Sequence, residues 1–165
     1  MDHNSQQRRA IEAFGQELIS SGFATPDTII GCDPEEISQV ESVAPDGFPI
    51  PELYRSFLEI MGKQAGTLFR GTDLFFPRML DSRDAAEDIL GERMLPDRRF
   101  YFGDHQGYKV YFFEVGSDAV YYYQEGNPDV KLLANNFLDF LRNAWSAQRR
   151  IRESIATHDL SILDK

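Results

Sequence analysis

FYFGDHQGYKVYFFEVGSDAVYYYQ, residues 100–124, holds ten aromatic side chains, nearly half of the 21 in the chain. From Arg99 onward the residues follow a period of two: RFYF, a turn around GDHQG, YKVYFFEV, a turn at GSD, then AVYYYQ. This predicts a three-stranded antiparallel meander, closed by the GNP turn. A sheet with one buried face needs only about half of these aromatics. If Tyr108, Val110 and Phe112 face the core, then Lys109, Tyr111, Phe113 and Val115 face the other way. In the next strand Val120, Tyr122 and Gln124 oppose Ala119, Tyr121 and Tyr123, so both faces are apolar. Two explanations stand. Helices or loops cover both faces, or one face is a partner surface. Tyrosine suits the second role, because it joins a large apolar area to a hydroxyl that stays hydrated before binding. On that reading Tyr111, Tyr121 and Tyr123 are candidate anchors.

Outside the meander the apolar period is helical. HNSQQRRAIEAFGQELISSGF carries Ile11, Phe14, Leu18 and Ile19 at helical spacing and stops near Gly22, either docked on the core or as an appended arm. CDPEEISQVESVAP starts a second helix with Asp33 as N-cap, Pro34 at the first position and Glu36 three residues after the cap. Its buried stripe is Ile37, Val40 and Val43 or Ala44. After the PDGFPIP turn, PELYRSFLEIMG sets Leu53, Tyr54, Phe57, Leu58 and Met61 on one face before Gly62. These two helices are expected to pack as an antiparallel pair. QAGTLFRGTDLFFP reads as two short strand pieces. DSRDAAEDILGERM is a surface helix with a narrow stripe of Ala85, Ile89 and Met94. ANNFLDFLRNAWSAQRRIRESI is a long closing helix, capped by Asn135 or Asn136, with Phe137, Phe140, Leu141 and Trp145 facing inward and a basic end that complements the helix dipole. The order gives an α+β fold: N-terminal helices packed on a mainly antiparallel, strongly twisted sheet, closed by a C-terminal helix.

With 165 residues, 42% hydrophobic and 27% charged, the chain suits one folded domain. No apolar run approaches the roughly 20 residues of a membrane span, and Arg8-Arg9 precedes an amphipathic segment rather than a signal core. The single Cys32 excludes an internal disulfide, so a reducing cytoplasm fits. The net charge of −10 is unevenly placed. Between Ala10 and Tyr54 there is no Lys or Arg, and nine acids fall there, among them Glu35, Glu36, Glu41, Asp46 and Glu52. Such a stretch is either a solubilising surface or a face that attracts basic proteins and repels nucleic acid.

Motifs for catalysis are weak. Asp104-His105 reads as part of a tight turn with both side chains in water. His3 and His158 lie in terminal segments, and no His/Cys cluster with metal-ligand spacing occurs. There is no G-x-S-x-G elbow, and Gly62-Lys63 lacks the glycine a phosphate loop requires five residues before Gly62, where Phe57 stands. No catalytic residue, metal or cofactor is therefore expected.

The segment IGCDPEEISQVESVAPDGFPIPELYRSFLEIMG resembles the opening signature of the SUKH superfamily, whose namesakes include the yeast Smi/Knr cell-wall assembly regulators. Ile37, Val40 and Glu41 match its first helix, and Ile50-Pro51-Glu52 with Tyr54, Phe57, Leu58 and Gly62 match its second. FYFGDHQGYKVYFFEV, AVYYYQEG and NNFLDFLRNAW look like its hairpin, following strand and closing helix. The Asn-Gly pair usual after the second helix is replaced here by Met61-Gly62-Lys63-Gln64. The resemblance implies one SUKH-like domain over 1–165, with a core of about 28–146, an added N-terminal helix and a C-terminal extension. It further implies a non-catalytic binding protein. Most bacterial members look like immunity proteins that neutralise a cognate toxin; fungal ones are regulatory scaffolds, and that is the alternative here. The expected partner is a protein toxin, a basic nuclease domain being one candidate, with no nucleic acid and no membrane. Glu35, Glu36, Glu41, Asp46 and Glu52 would steer it, and the tyrosines would anchor it. An enzyme with an acidic cleft is the remaining rival.

Overall fold

The computed structural model describes residues 2–91, 95–96 and 98–163, with side chains as far as Asp159. It is α+β. The helices are α1 (His3–Ser20), α2 (Pro34–Ser42), α3 (Glu52–Met61), α4 (Ser82–Leu90) and α5 (Phe137–Leu163). The strands are β1 (Ile29–Ile30), β2 (Gln64–Ala65), β3 (Thr72–Asp73), β4 (Arg99–His105), β5 (Lys109–Glu114), β6 (Val120–Gln124) and β7 (Asn127–Ala134). β3 to β7 form one antiparallel sheet in sequence order, and β1 and β2 pair separately as a short clip. No helix among the described residues is long and apolar enough to cross a membrane.

The meander is present within a wider sheet. β3 adds a two-residue edge on one side and β7 an eight-residue edge on the other. The first hairpin turns later than GDHQG suggests. β4 runs on through Gly103, Asp104 and His105, and the chain reverses at Gln106 and Gly107, whose φ angles of 51° and 73° make the type I′ geometry that suits strand twist. Asp104 is therefore a strand residue with 6% exposure, not a solvated turn residue. Its carboxylate accepts the Gly107 N–H at 2.9 Å, while His105 Nδ1 lies 2.8 Å from the Thr72 hydroxyl across the β3–β4 pair.

Both faces of the sheet are covered. Phe100, Phe102, Tyr111 and Phe113 meet α1, α3 and α5 in the main core, which is built around Tyr54. The Tyr54 ring lies 5.1–6.1 Å from those of Phe57, Phe100, Phe102, Phe113 and Phe137. On the reverse face Tyr101, Val110, Phe112 and Tyr123 pack under α4. The alternation assigned Tyr111 and Phe113 together, and Val110 and Phe112 together, but the larger core lies on the Tyr111 side. Tyr108 belongs to neither core, because it sits in the turn before β5 begins, 42% exposed, against the His105 ring.

α4 is consequently a lid on the second face as well as a surface helix: Ala86 is fully buried and Ala85 and Ile89 pack with it. Met94, assigned to the same stripe, lies outside the described residues. α1 docks, with Ile11, Phe14 and Leu18 wholly buried in the main core. It is α1, rather than α2, that α3 packs on most extensively. α2 also meets α3, but less extensively than expected, since it is short and buries only Ile37 and Val40. α5 starts at the cap formed by Asn136, whose side-chain oxygen accepts the Asp139 N–H at 2.9 Å. Phe137, Phe140, Leu141 and Trp145 then face inward, and the helix leaves the body with Ile151 and Ile155 exposed.

Candidate functional site

The five acids singled out from sequence sit on α2, α3 and the turn between them, and the structure gives them different duties. Asp33 and Glu36 form a reciprocal cap at the start of α2: the Asp33 carboxylate accepts the Glu36 N–H at 2.8 Å, and the Glu36 carboxylate accepts the Asp33 N–H at 2.9 Å. Glu36 also accepts from the Lys63 ammonium at 2.8 Å, and this hydrogen bond raises the lysine pKa. Glu41 pairs with Arg55, tying α2 to α3. Glu35 and Glu52 stand in the first turns of α2 and α3, where a carboxylate faces the positive end of the helix dipole. Asp46 is exposed on the interhelical turn, which the Phe48 N–H closes onto the Pro45 carbonyl at 2.9 Å.

Three of the five come together. Glu41, Asp46 and Glu52 line one open groove of about 490 Å³, together with Phe48, Ile50 and the cation Arg55. Three carboxylates against one guanidinium leave the groove negative. Beyond the Glu41–Arg55 pair lies a second hollow of about 500 Å³ between α1, α2 and α3, where Arg8 and Arg55 balance Glu41 and Glu59. Glu35 and Glu36 line neither. Among the described residues Glu35, Asp46 and Glu52 form no ion pair, so their charge is available to a partner.

The tyrosines do not meet this groove as free anchors. Tyr123 is fully buried under α4, with its hydroxyl pointing to the Ala86 carbonyl at 3.5 Å, and burial drives its pKa far above the ordinary value. Tyr111 is 9% exposed in the main core against Phe102 and Phe140, and burial pushes its phenol up to about 12. Tyr121 is half-buried, stacked on Phe112 at 5.9 Å. An exposed aromatic that the strand pattern missed is Tyr108, because alternation alone does not reveal which residues belong to the turn.

Cys32 is buried between the start of α2 and Gly62, and burial first, then the neighbouring Glu36, pushes its thiol up to about 12. A thiol held protonated at neutral pH is a poor nucleophile. Asp104 is likewise raised, chiefly by burial and further by Asp73, against the opposing Gly107 N–H.

The capped α2, the acidic turn after it, the aromatic α3 and an antiparallel sheet closed by a long helix make an α+β domain of the SUKH kind. The chain belongs to the SMI1 / KNR4 family (SUKH-1), which it matches over residues 31–143. No curated protein matches it. The matched span starts beside the Asp33 cap and stops within the inward-facing part of α5, leaving α1 and the projecting end of α5 outside it.

Proposed function

We propose that this SUKH-1 domain is a non-catalytic immunity protein that works in the bacterial cytoplasm by binding a basic toxin. The observation that carries the reading is the groove that Glu41, Asp46 and Glu52 line together. An open acidic groove suits a basic protein surface: Asp46 and Glu52, which form no ion pair among the described residues, supply long-range attraction and orientation. A nuclease fits that chemistry, since its substrate-binding surface is cationic and carboxylates can take the place of substrate phosphates. Blocking would then be steric and electrostatic, with no bond made or broken by this chain.

The test is co-expression of the C-terminal domain of the protein encoded beside this gene, with and without this chain, reading bacterial growth and complex formation. Rescue through a stoichiometric complex is the expected result. Killing that this chain does not prevent, or a harmless neighbour, removes the immunity reading and leaves the regulatory scaffold.

A further inference from the structure

Two ammonium groups meet at one tyrosine ring on the sheet. Tyr111 of β5 lies opposite Tyr122 of β6, which lies opposite Lys131 of β7, so the three stand in one row on the face of the main core. Lys109, two residues before Tyr111 in an unbroken stretch of the β5–β6 pairing, points to the same face, and Gln124 lies opposite it. The Lys109 Nζ sits 4.2 Å from the centre of the Tyr122 ring and 5.5 Å from that of Tyr111, and the Lys131 Nζ sits 6.0 Å from that of Tyr122. Among the described residues seven other cations meet a carboxylate, but neither lysine forms an ion pair. Lys109 is half-buried, and burial first, then Lys131, lowers its pKa. The ring faces attract both ammoniums, yet they leave the mutual repulsion and the desolvation of Lys109 without a counter-charge.

We propose that Lys109 and Lys131, set about the Tyr122 ring, bind the phosphate group of a small phosphate monoester. A dianion between the two ammoniums replaces their repulsion by charge-assisted hydrogen bonds to both, and a carboxylate carries only half the charge needed. The terminal oxygens of the phosphate let each ammonium, and the amide of Gln124 beside Lys109, take a separate acceptor. The half-buried Tyr122 ring offers the organic part of an ester an apolar surface next to the anion. The net charge of −10 opposes a polyanion, which selects a small ligand over a nucleic acid. The site shares no residue with the acidic groove, so a phosphate ligand and a basic protein do not compete for the same side chains.

Calorimetric titration of the full chain at fixed ionic strength tests this with inorganic phosphate, glycerol phosphate and phenyl phosphate. Both esters are expected to saturate a single site at least as tightly as inorganic phosphate. Lys109→Gln and Lys131→Gln should each weaken binding about tenfold, while Arg150→Gln, which removes the same charge from the exposed part of α5, should leave it within about twofold. The chain has four lysines, so isotope-labelled methyl groups placed on them by reductive methylation, which keeps the charge, can be followed one by one in NMR spectra. Glycerol phosphate should shift the signals of Lys109 and Lys131 and leave that of Lys63, held by Glu36, unmoved. That arm needs no variant and stays decisive if one fails to fold. No saturable binding by the wild type, binding of inorganic phosphate but of neither ester, an equal loss in Arg150→Gln, or Lys109 and Lys131 signals that do not move overturns the proposal.

Discussion

Tyr54 sits at the centre of the aromatic core, yet its hydroxyl is buried without a hydrogen-bond partner among the described residues. Burial also drives its pKa well above the ordinary value. A buried hydroxyl left unpaired costs about 1–3 kcal/mol, whereas the phenylalanine ring fills nearly the same space. Tyr54→Phe is therefore expected to raise stability by about 1 kcal/mol in urea unfolding; a loss would mean that a buried water satisfies the oxygen. Asp104 makes the pH-dependent counterpart. Its folded pKa lies above the ordinary 3.8, so the native state keeps a proton that the unfolded chain has released. Stability then falls as pH climbs from the unfolded pKa through the folded one. Asp104→Asn removes that loss, so it should stabilise the protein at pH 7 and make no difference near pH 3. Equal effects at both pH values would show that the carboxyl is not raised. Gly66 is a third position where one atom matters: its φ is +58° and an added Cβ would lie 2.1 Å from the Phe23 carbonyl oxygen. Gly66→Ala should cost at least about 2 kcal/mol through strain and collision together.

At the scale of elements, α1 lies outside the family-matched span but inside the core, and two substitutions separate what holds it. Phe14 is fully buried, its ring edge-on to Trp145 at 5.9 Å. Glu17 meets Arg142 of α5 in a two-pronged ion pair at 3.0 and 3.1 Å, with both side chains about two-fifths exposed. Phe14→Ala should cost about 3–5 kcal/mol, while Glu17→Gln should cost less than about 1 kcal/mol because solvent screens the pair. Similar costs for the two would mean that charge, not packing, docks α1. Sequence showed α1, α2, α3 and α5 clearly, because their apolar stripes and caps are local signals; the Asp33 and Glu36 cap is written in four consecutive residues. β7 was not legible. Its Pro128, Asp129 and adjacent Leu132-Leu133 break the alternation, since an edge strand with most of its side chains in solvent has no second period to impose. α4 showed only a narrow stripe because its wholly buried apolar residue is the small Ala86, while Ala85, Ile89 and Leu90 pack only partly buried beside it.

Charge is a property of the whole molecule, and here the linear count and the folded surface diverge. The first third lacks Lys and Arg between Ala10 and Tyr54, but in space Lys63 reaches Glu36, Arg55 reaches Glu41, Arg8 reaches Glu12 and Glu59, and Arg142 reaches Glu17. The linear count hides this neutralisation, because the cations stand just outside the acidic stretch, at Arg8, Arg55 and Lys63, or far along the chain at Arg142. Of the five acids singled out from sequence, Glu35, Asp46 and Glu52 form no ion pair among the described residues, and these can be reversed without breaking one. The triple variant Glu35→Lys, Asp46→Lys, Glu52→Lys should thus remain close to the wild type in stability, apart from the helix-dipole contribution at Glu35 and Glu52 of about 0.3–1 kcal/mol each. Its association with a basic toxin domain should slow by about tenfold or more at low ionic strength, and the rate should lose most of its salt dependence. Reversing Glu36 and Glu41 instead should lower stability as well, through loss of the α2 cap and the link to Arg55. Stopped-flow association across a salt series, beside the melting curve of each variant, separates the two sets. An on-rate that the triple variant leaves unchanged, with the same salt slope as the wild type, would mean that the acids keep the surface hydrated and that the partner is recognised elsewhere on the domain.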